Sequence, residues 1–249
     1  FITGAYNSSL KPISIELQRI LKSSGHSKIN HYFTIQNSLK VVQNVATINK
    51  AYTKLFCADF ASLFTNLPHI VVKDKIFYLL DLLYDKTNSS SHGRSYHKND
   101  VKCILDYILN NSYAYYGGNY YKQEKGIPQG NNASPQIADL ALAVMEFQYI
   151  QKNINLRNPI AYSLGRTYRY IDDLLHISDK TKLFIDMTRD MYHDSLTLER
   201  TNTKDDECTF LDIGIKVTNG KATTELYNKT DDYSFDVIRY PHYLSNIPI

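Results

Sequence analysis

The segment TYRYIDDLLHI, residues 167–177, sets two aspartates, Asp172 and Asp173, side by side between two apolar runs. Aspartate is common in tight turns for backbone reasons alone, so an isolated pair would read as a solvated turn. A third carboxylate changes that reading. Asp59 closes the apolar run of KLFCAD (54–59), and DFASLF returns at once to apolar character. A carboxylate at the end of a buried strand needs a partner, and none is obvious locally. If that strand lies beside the 167–178 hairpin, three carboxylates converge, which is tolerable only when cations neutralise them. Hard oxygen ligands of this kind suit Mg²⁺, which binds a few carboxylates and completes its shell with substrate phosphates.

The elements that must position these residues read as an α+β chain. Apolar spacing predicts helices near 13–23, 36–50, 72–84 and 180–194. A further helix opens at an Asn99 cap, with Val101, Ile104, Leu105, Ile108 and Leu109 on one stripe, and another at Ser134-Pro135, continued by Ile137, Leu140, Ala141 and Val144. Strands are predicted at 54–59, on both sides of Gly117-Gly118, and as a hairpin with Asp172 and Asp173 filling its two-residue turn. LDIGIKV and KATTELY flank Asn219-Gly220, a pair that tolerates the positive φ values of a type I′ turn. Hairpins outnumber strand-helix alternations, so an antiparallel sheet backed by helices is expected rather than a doubly wound fold. The polar stretch 85–99 reads as an inserted, finger-like loop.

With 249 residues, 43% of them hydrophobic, the chain can bury a core in one large domain or two small subdomains. A formal charge of +3 permits a nucleic-acid partner without demanding one. Cys57, Cys103 and Cys208 form no CxxC pair, which points to neither zinc nor a disulfide framework and to a reducing compartment. His69, His92, His97 and His242 likewise lack zinc-ligand spacing. No apolar run is long enough to cross a membrane and no signal peptide opens the chain, so a soluble intracellular protein is expected. The start at Phe1 and the stop at Ile249 suggest a fragment of something longer.

Three segments in order, DFASLF (59–64), GIPQGNNASP (126–135) and YIDD (170–173), resemble motifs A, B and C of reverse transcriptases. FTNLPH (64–69), YRYIDDLL, TFLDIGI (209–215) and YPHYLSNIP (240–248) narrow the resemblance to Penelope-like retroelement enzymes, with telomerase the next nearest relative. The resemblance implies a right-hand polymerase palm with partial fingers and no thumb. It divides the chain into partial fingers (1–53), palm with motif A (54–84), an insertion and hairpin (85–125), and palm with motifs B to E (126–249).

The same resemblance implies RNA-directed DNA synthesis: a primer 3′ end extended with dNTPs on an RNA template, by two Mg²⁺ ions for which Mn²⁺ can substitute. Asp59 and Asp172 match direct metal ligands and Asp173 a weaker one. Phe64 matches the aromatic that would clash with a 2′-hydroxyl, where periodicity alone would make it a core residue. Phe60, Gln129, Gly130 and Lys204 are expected at the dNTP, with Arg200 competing with Lys204 for the role of general acid toward pyrophosphate. Tyr170, Ile171, Pro128, Phe210 and Leu211 are expected near primer and template, and surplus tyrosines offer stacking faces for bases. Element replication would imply nuclear access. The competing expectations are a telomerase-like or repair polymerase with another template habit, and a silent or domesticated scaffold that binds nucleic acid without synthesis.

Overall fold

The computed structural model describes residues 9–24, 29–30, 32–46, 54–84, 89–91, 94–232 and 234. YPHYLSNIP, His92, His242 and residues 47–50 of the helix expected over 36–50 lie outside them. From the amino terminus the chain forms α1 (Lys11–Ser24), α2 (Leu39–Ala46), β1 (Leu55–Ala61), the single turn α3 (Leu63–Asn66) and α4 (His69–Leu83). Next come β2 (Ser89–Ser91), β3 (Arg94–Tyr96), α5 (Lys98–Asn110), β4 (Tyr113–Tyr116), β5 (Asn119–Lys122), α6 (Ser134–Asn155) and the short α7 (Ile160–Ser163). The remainder is β6 (Thr167–Tyr170), β7 (Asp173–Ile177), α8 (Thr181–Met191), β8 (Thr197–Arg200), β9 (Glu207–Phe210), β10 (Ile213–Thr218) and β11 (Lys221–Leu226).

Strands β6, β7, β1 and β8 make one antiparallel sheet in that spatial order, and β11, β10 and β9 make a second. The period-two alternation of strands decides what each face meets. Phe56, Ala58, Phe60 and Leu174 join an apolar cluster with residues of α1, α4, α5, α6 and α8. Leu55, Cys57, Leu175 and Ile177 join a second cluster, closed by Val41 and Val45 of α2 and by Phe210, Ile213 and Ile215 of the three-stranded sheet. The central sheet is therefore covered on both faces, helices on one side and mostly β structure on the other.

Local chemistry accounts for several element ends. Asn219 and Gly220 both have positive φ, as do Gly117 and Gly118, so each pair turns its hairpin in the left-handed backbone region. Helix α5 starts two residues earlier than the Asn99 cap implied, because His97 and Asp100 form a reciprocal capping box. Ser134 lies inside α6, where its hydroxyl donates to the Pro128 carbonyl and so ties the helix to the preceding loop. The polar stretch 85–99 contains the short pair β2/β3. Strand β8 was not anticipated. It pairs on one side only and its residues are mostly exposed, so it carries no apolar alternation.

Candidate active site

Strand β1 lies inside the sheet, so its residues have a neighbour on each side. Asp59 stands opposite Asp173 of β7 and opposite Glu199 of β8. Three acidic residues thus cross the sheet in one row, with Asp172 in the adjoining turn. Directly opposed side chains share a face, here the one that also carries Leu55, Cys57, Leu175 and Ile177. Like charges in such positions repel. Burial raises the Asp59 pKa, the Asp172 charge raises it further, the Phe60 backbone N–H draws it back, and Glu199 adds a smaller upward push. Asp173 is pushed up to about 6 by burial and by the charges of Asp172 and Asp59, against an opposing effect of Lys229.

Asp59 Oδ1 is buried without a hydrogen-bond partner among the described residues. An unpartnered carboxylate oxygen among further carboxylates is a donor set that fits a hard divalent cation. Among the described residues no three His, Cys, Asp or Glu side chains form a metal-holding group by themselves. The fit is therefore to an ion that takes one or two carboxylates and draws its other oxygens from water or phosphate, as Mg²⁺ does.

The carboxylate hairpin turns one residue earlier than the spacing implied. Tyr170 pairs with Asp173, so Ile171 and Asp172 form the turn and Asp173 opens β7. Ile171 has φ 53, a conformation that costs a β-branched residue on the order of 1–3 kcal/mol. Two bonds hold it there. The Ile171 carbonyl accepts from Arg169 Nη1 at 3.0 Å, and the Asp172 carbonyl accepts the Phe60 N–H at 3.2 Å.

Arg169 escaped the reading of the sequence because charged residues are expected outside, yet its side chain is fully buried. Its Nε donates to Glu146 at 2.5 Å and its Nη1 to Asp139 at 2.7 Å; its Nη2 donates to Thr34 Oγ1 at 2.9 Å and to the Asp139 carbonyl at 3.2 Å. Burial opposes the charge, and Glu146 and Asp139 outweigh it, holding the guanidinium pKa above its ordinary value. Tyr192 completes the cluster by donating to Glu146 at 2.9 Å.

The loop GIPQG abuts the segment that follows β1. The Ile127 N–H donates to the Phe64 carbonyl at 2.6 Å, the Gly126 N–H donates to the Leu67 carbonyl at 3.1 Å, and His69 Nε2 meets the Gly126 carbonyl at 2.7 Å. Gly126 has φ 90, and a Cβ there would stand 2.5 Å from the Phe64 carbonyl oxygen. Phe64 packs half-buried against the helix-side core; Pro128 is buried, Gln129 half-buried, and Gly130 exposed with φ 87. Phe64, Pro128, Gln129 and Gly130 therefore belong to one loop cluster.

Two expected dNTP contacts are not brought to the carboxylates. The Phe60 ring faces the helices, 2% exposed and edge-on to Tyr192 at 4.8 Å. Strand parity turns it away from Asp59, leaving its backbone N–H as its contribution. Lys204 follows β8, which runs antiparallel to β1, so the chain beyond Glu199 travels toward the opposite end of β1. There the Leu55 N–H donates to the Asp205 carbonyl, and Lys204 pairs with Glu207 at 3.2 Å. Arg200 points to the other face, over Phe56, and pairs with Asp205. Among the described residues a cation that acts on Asp173 is Lys229, in the turn of 3₁₀ helix after β11. Tyr170 ends β6 at 37% exposure and Ile171 packs on the helix-side core, while Phe210 and Leu211 lie in and beside the second core, at the β9/β10 turn.

The sequence matches no protein-family model and no curated protein. Solved structures do resemble it. A telomerase from Candida tropicalis superposes with a TM-score of 0.60 at 15% identity, over 88% of this chain and 40% of that one. A C-terminally truncated form of it gives 0.59 at 15%, over 89% and 46%, and the telomerase of Candida albicans in complex with a TWJ fragment of telomeric RNA gives 0.58 at 15%, over 86% and 39%. The chain spans less than half the length of these proteins. The likeness defines its class of fold, a polymerase-type palm of antiparallel sheet and helices.

Proposed function

We propose that this chain is the palm and partial fingers of an RNA-directed DNA polymerase of retroelement type, most similar to the Penelope-like group. The observation that carries the reading is the row Asp173, Asp59 and Glu199 beside the Asp172 turn, on a palm-type sheet, with the loop GIPQG bonded to the segment after Asp59. Asp59 and Asp172 would hold Mg²⁺ or Mn²⁺, with Asp173 beside them, and a pair of such ions supplies a more acidic primer 3′-hydroxyl and neutralises the triphosphate.

The chain's own residues position the reactants. Glu199 extends the negative row and strengthens its demand for cations. Phe64, Gln129 and Gly130 line the dNTP pocket, and the Phe64 ring excludes a 2′-hydroxyl. Gly130, with no side chain, lets the backbone approach the nucleotide. Tyr170 and Leu211 face primer and template, an RNA·DNA hybrid recognised through its A-form shape and backbone, while Pro128, Ile171 and Phe210, buried or packed against the cores, support that surface from behind. Base pairing selects the nucleotide. This work implies access to nuclear nucleic acid. The telomerase-type fold also favours a second reading, a polymerase that copies a dedicated or internal template.

The test is extension of oligo(dT) on poly(rA) with dTTP, with Mg²⁺ and Mn²⁺ separately, comparing the wild type with Asp172→Ala/Asp173→Ala. Extension by the wild type alone is expected. Equal binding of the hybrid by both proteins, with extension by neither, would replace the enzyme with a nucleic-acid scaffold.

A further inference from the structure

We infer that Arg169 is a positioning residue that fixes the Ile171–Asp172 turn, and with it the carboxylates, to helix α6. The inference rests on the polymerase reading for its consequence in catalysis and on geometry alone for the positioning itself. Arg169 is the last fully buried side chain before the turn, and its guanidinium spans three elements. On helix α6 it meets Asp139 and Glu146; in the segment before α2 it meets Thr34; in the turn it meets the Ile171 carbonyl. Its backbone is bonded on the same side, the Arg169 N–H donating to Phe33 at 2.8 Å and its carbonyl accepting from Ile35 at 2.9 Å.

Burying an ion pair adds little net stability as a rule, because desolvation offsets the attraction. What such a pair fixes well is register. Here one Nη1 nitrogen bonds both Asp139 and the Ile171 carbonyl, so the strained turn is referred directly to the helix that continues the GIPQG loop. Lysine cannot reproduce this. Its ammonium is a point charge with three donors, whereas arginine offers five in a planar fork. The turn in turn reaches β1 through the bond from the Phe60 N–H to the Asp172 carbonyl. That amide therefore reports whether the turn is seated.

The experiment compares wild type, Arg169→Lys and Asp139→Asn by amide hydrogen exchange and by primer extension. Arg169→Lys should speed exchange at the Phe60 amide at least tenfold while the β7 amides of Leu174 to Ile177 keep their protection. It should lower kcat at least tenfold, with hybrid affinity and the KM for dTTP changed less than threefold. Asp139→Asn, which keeps the shape and one acceptor, should move both readouts the same way by less, and serves as the deciding variant if Arg169→Lys does not fold. Unchanged Phe60 exchange, or acceleration spread evenly over the sheet, would overturn the inference. Selective Phe60 acceleration in a chain whose wild type makes no product would leave the positioning intact and remove the polymerase reading.

Discussion

Asp59 faces Asp173 directly across the β1/β7 pair, two carboxylates in register near the end of a mostly apolar strand pair. Opposed like charges cost about 0.2–1 kcal/mol relative to neutral pairs, so the fold carries this row at the expense of stability. Asp59→Asn should raise the urea-denaturation stability at pH 7 and low salt by about 0.5 kcal/mol while abolishing primer extension. The gain should shrink only modestly at 1 M salt, because partly buried charges are screened less than exposed ones. A destabilised Asp59→Asn protein would mean that the row is not under repulsion.

Divalent cations should reverse the repulsion. Anything that binds the folded chain alone stabilises it, by about 2.7 kcal/mol at a hundredfold excess over Kd, or roughly 5–10 °C in Tm for a chain of this size. Mn²⁺ should raise the Tm of the wild type and leave that of Asp59→Asn/Asp172→Asn unchanged. An equal rise in both would place the cation elsewhere.

The contact between the Phe64 segment and the GIPQG loop depends on Gly126. Gly126 and Gly117 both have positive φ, but a Cβ on Gly126 would meet the Phe64 carbonyl oxygen at 2.5 Å and Thr65 Cα at 2.9 Å, while among the described residues nothing lies within 4 Å of one on Gly117. Gly117→Ala should cost about 1–2 kcal/mol, the left-handed penalty alone. Gly126→Ala adds backbone displacement and should cost a further ~1–3 kcal/mol. Urea denaturation of the two variants side by side reads the difference; equal costs would show that the loop yields freely.

What the sequence made legible was set by local backbone chemistry and by motif order. Asn219-Gly220 and Gly117-Gly118 announce their turns because few other residues accept positive φ, and the α5 stripe follows helical period, whereas α6 is buried on every side from Leu140 to Glu146. Asp59, Asp172 and Asp173 stood out as carboxylates set against apolar runs, and the order of DFASLF, GIPQGNNASP and YIDD tied them to one resemblance. Three features were hidden for physical reasons. Strand β8 is polar and lies at a sheet edge, which concealed Glu199 and misplaced Lys204. Ile171 occupies a backbone region that its type disfavours, which shifted the turn by one residue. Arg169 is a charge buried among side-chain partners 23–135 residues away in sequence, a relationship that no local window contains.

The pH dependence of stability should expose His176. Its ring is buried, stacked on Phe184 at 3.9 Å between centroids, with Nδ1 2.9 Å from Thr167 Oγ1. Burial lowers its pKa from 6.5 to about 3. The folded chain keeps the ring neutral while the unfolded chain protonates it, so the unfolded state binds more protons between those values. Its contribution is present in full above pH 6.5 and is lost as pH falls toward 3, at about 1.4 kcal/mol per unit. Asp173 acts in the opposite sense. Its pKa is raised to about 6 from 3.8, so the folded state binds more protons in that window and loses stability as pH rises through it. The two slopes oppose each other between pH 4 and 6. Urea denaturation from pH 4 to 7.5 should therefore show a steeper loss toward acid for Asp173→Asn than for the wild type. It should show a shallower loss for Thr167→Val/His176→Phe, which removes both hydrogen-bonding partners and keeps a ring on Phe184. Superimposable profiles for all three proteins would show that neither group is shifted in the fold.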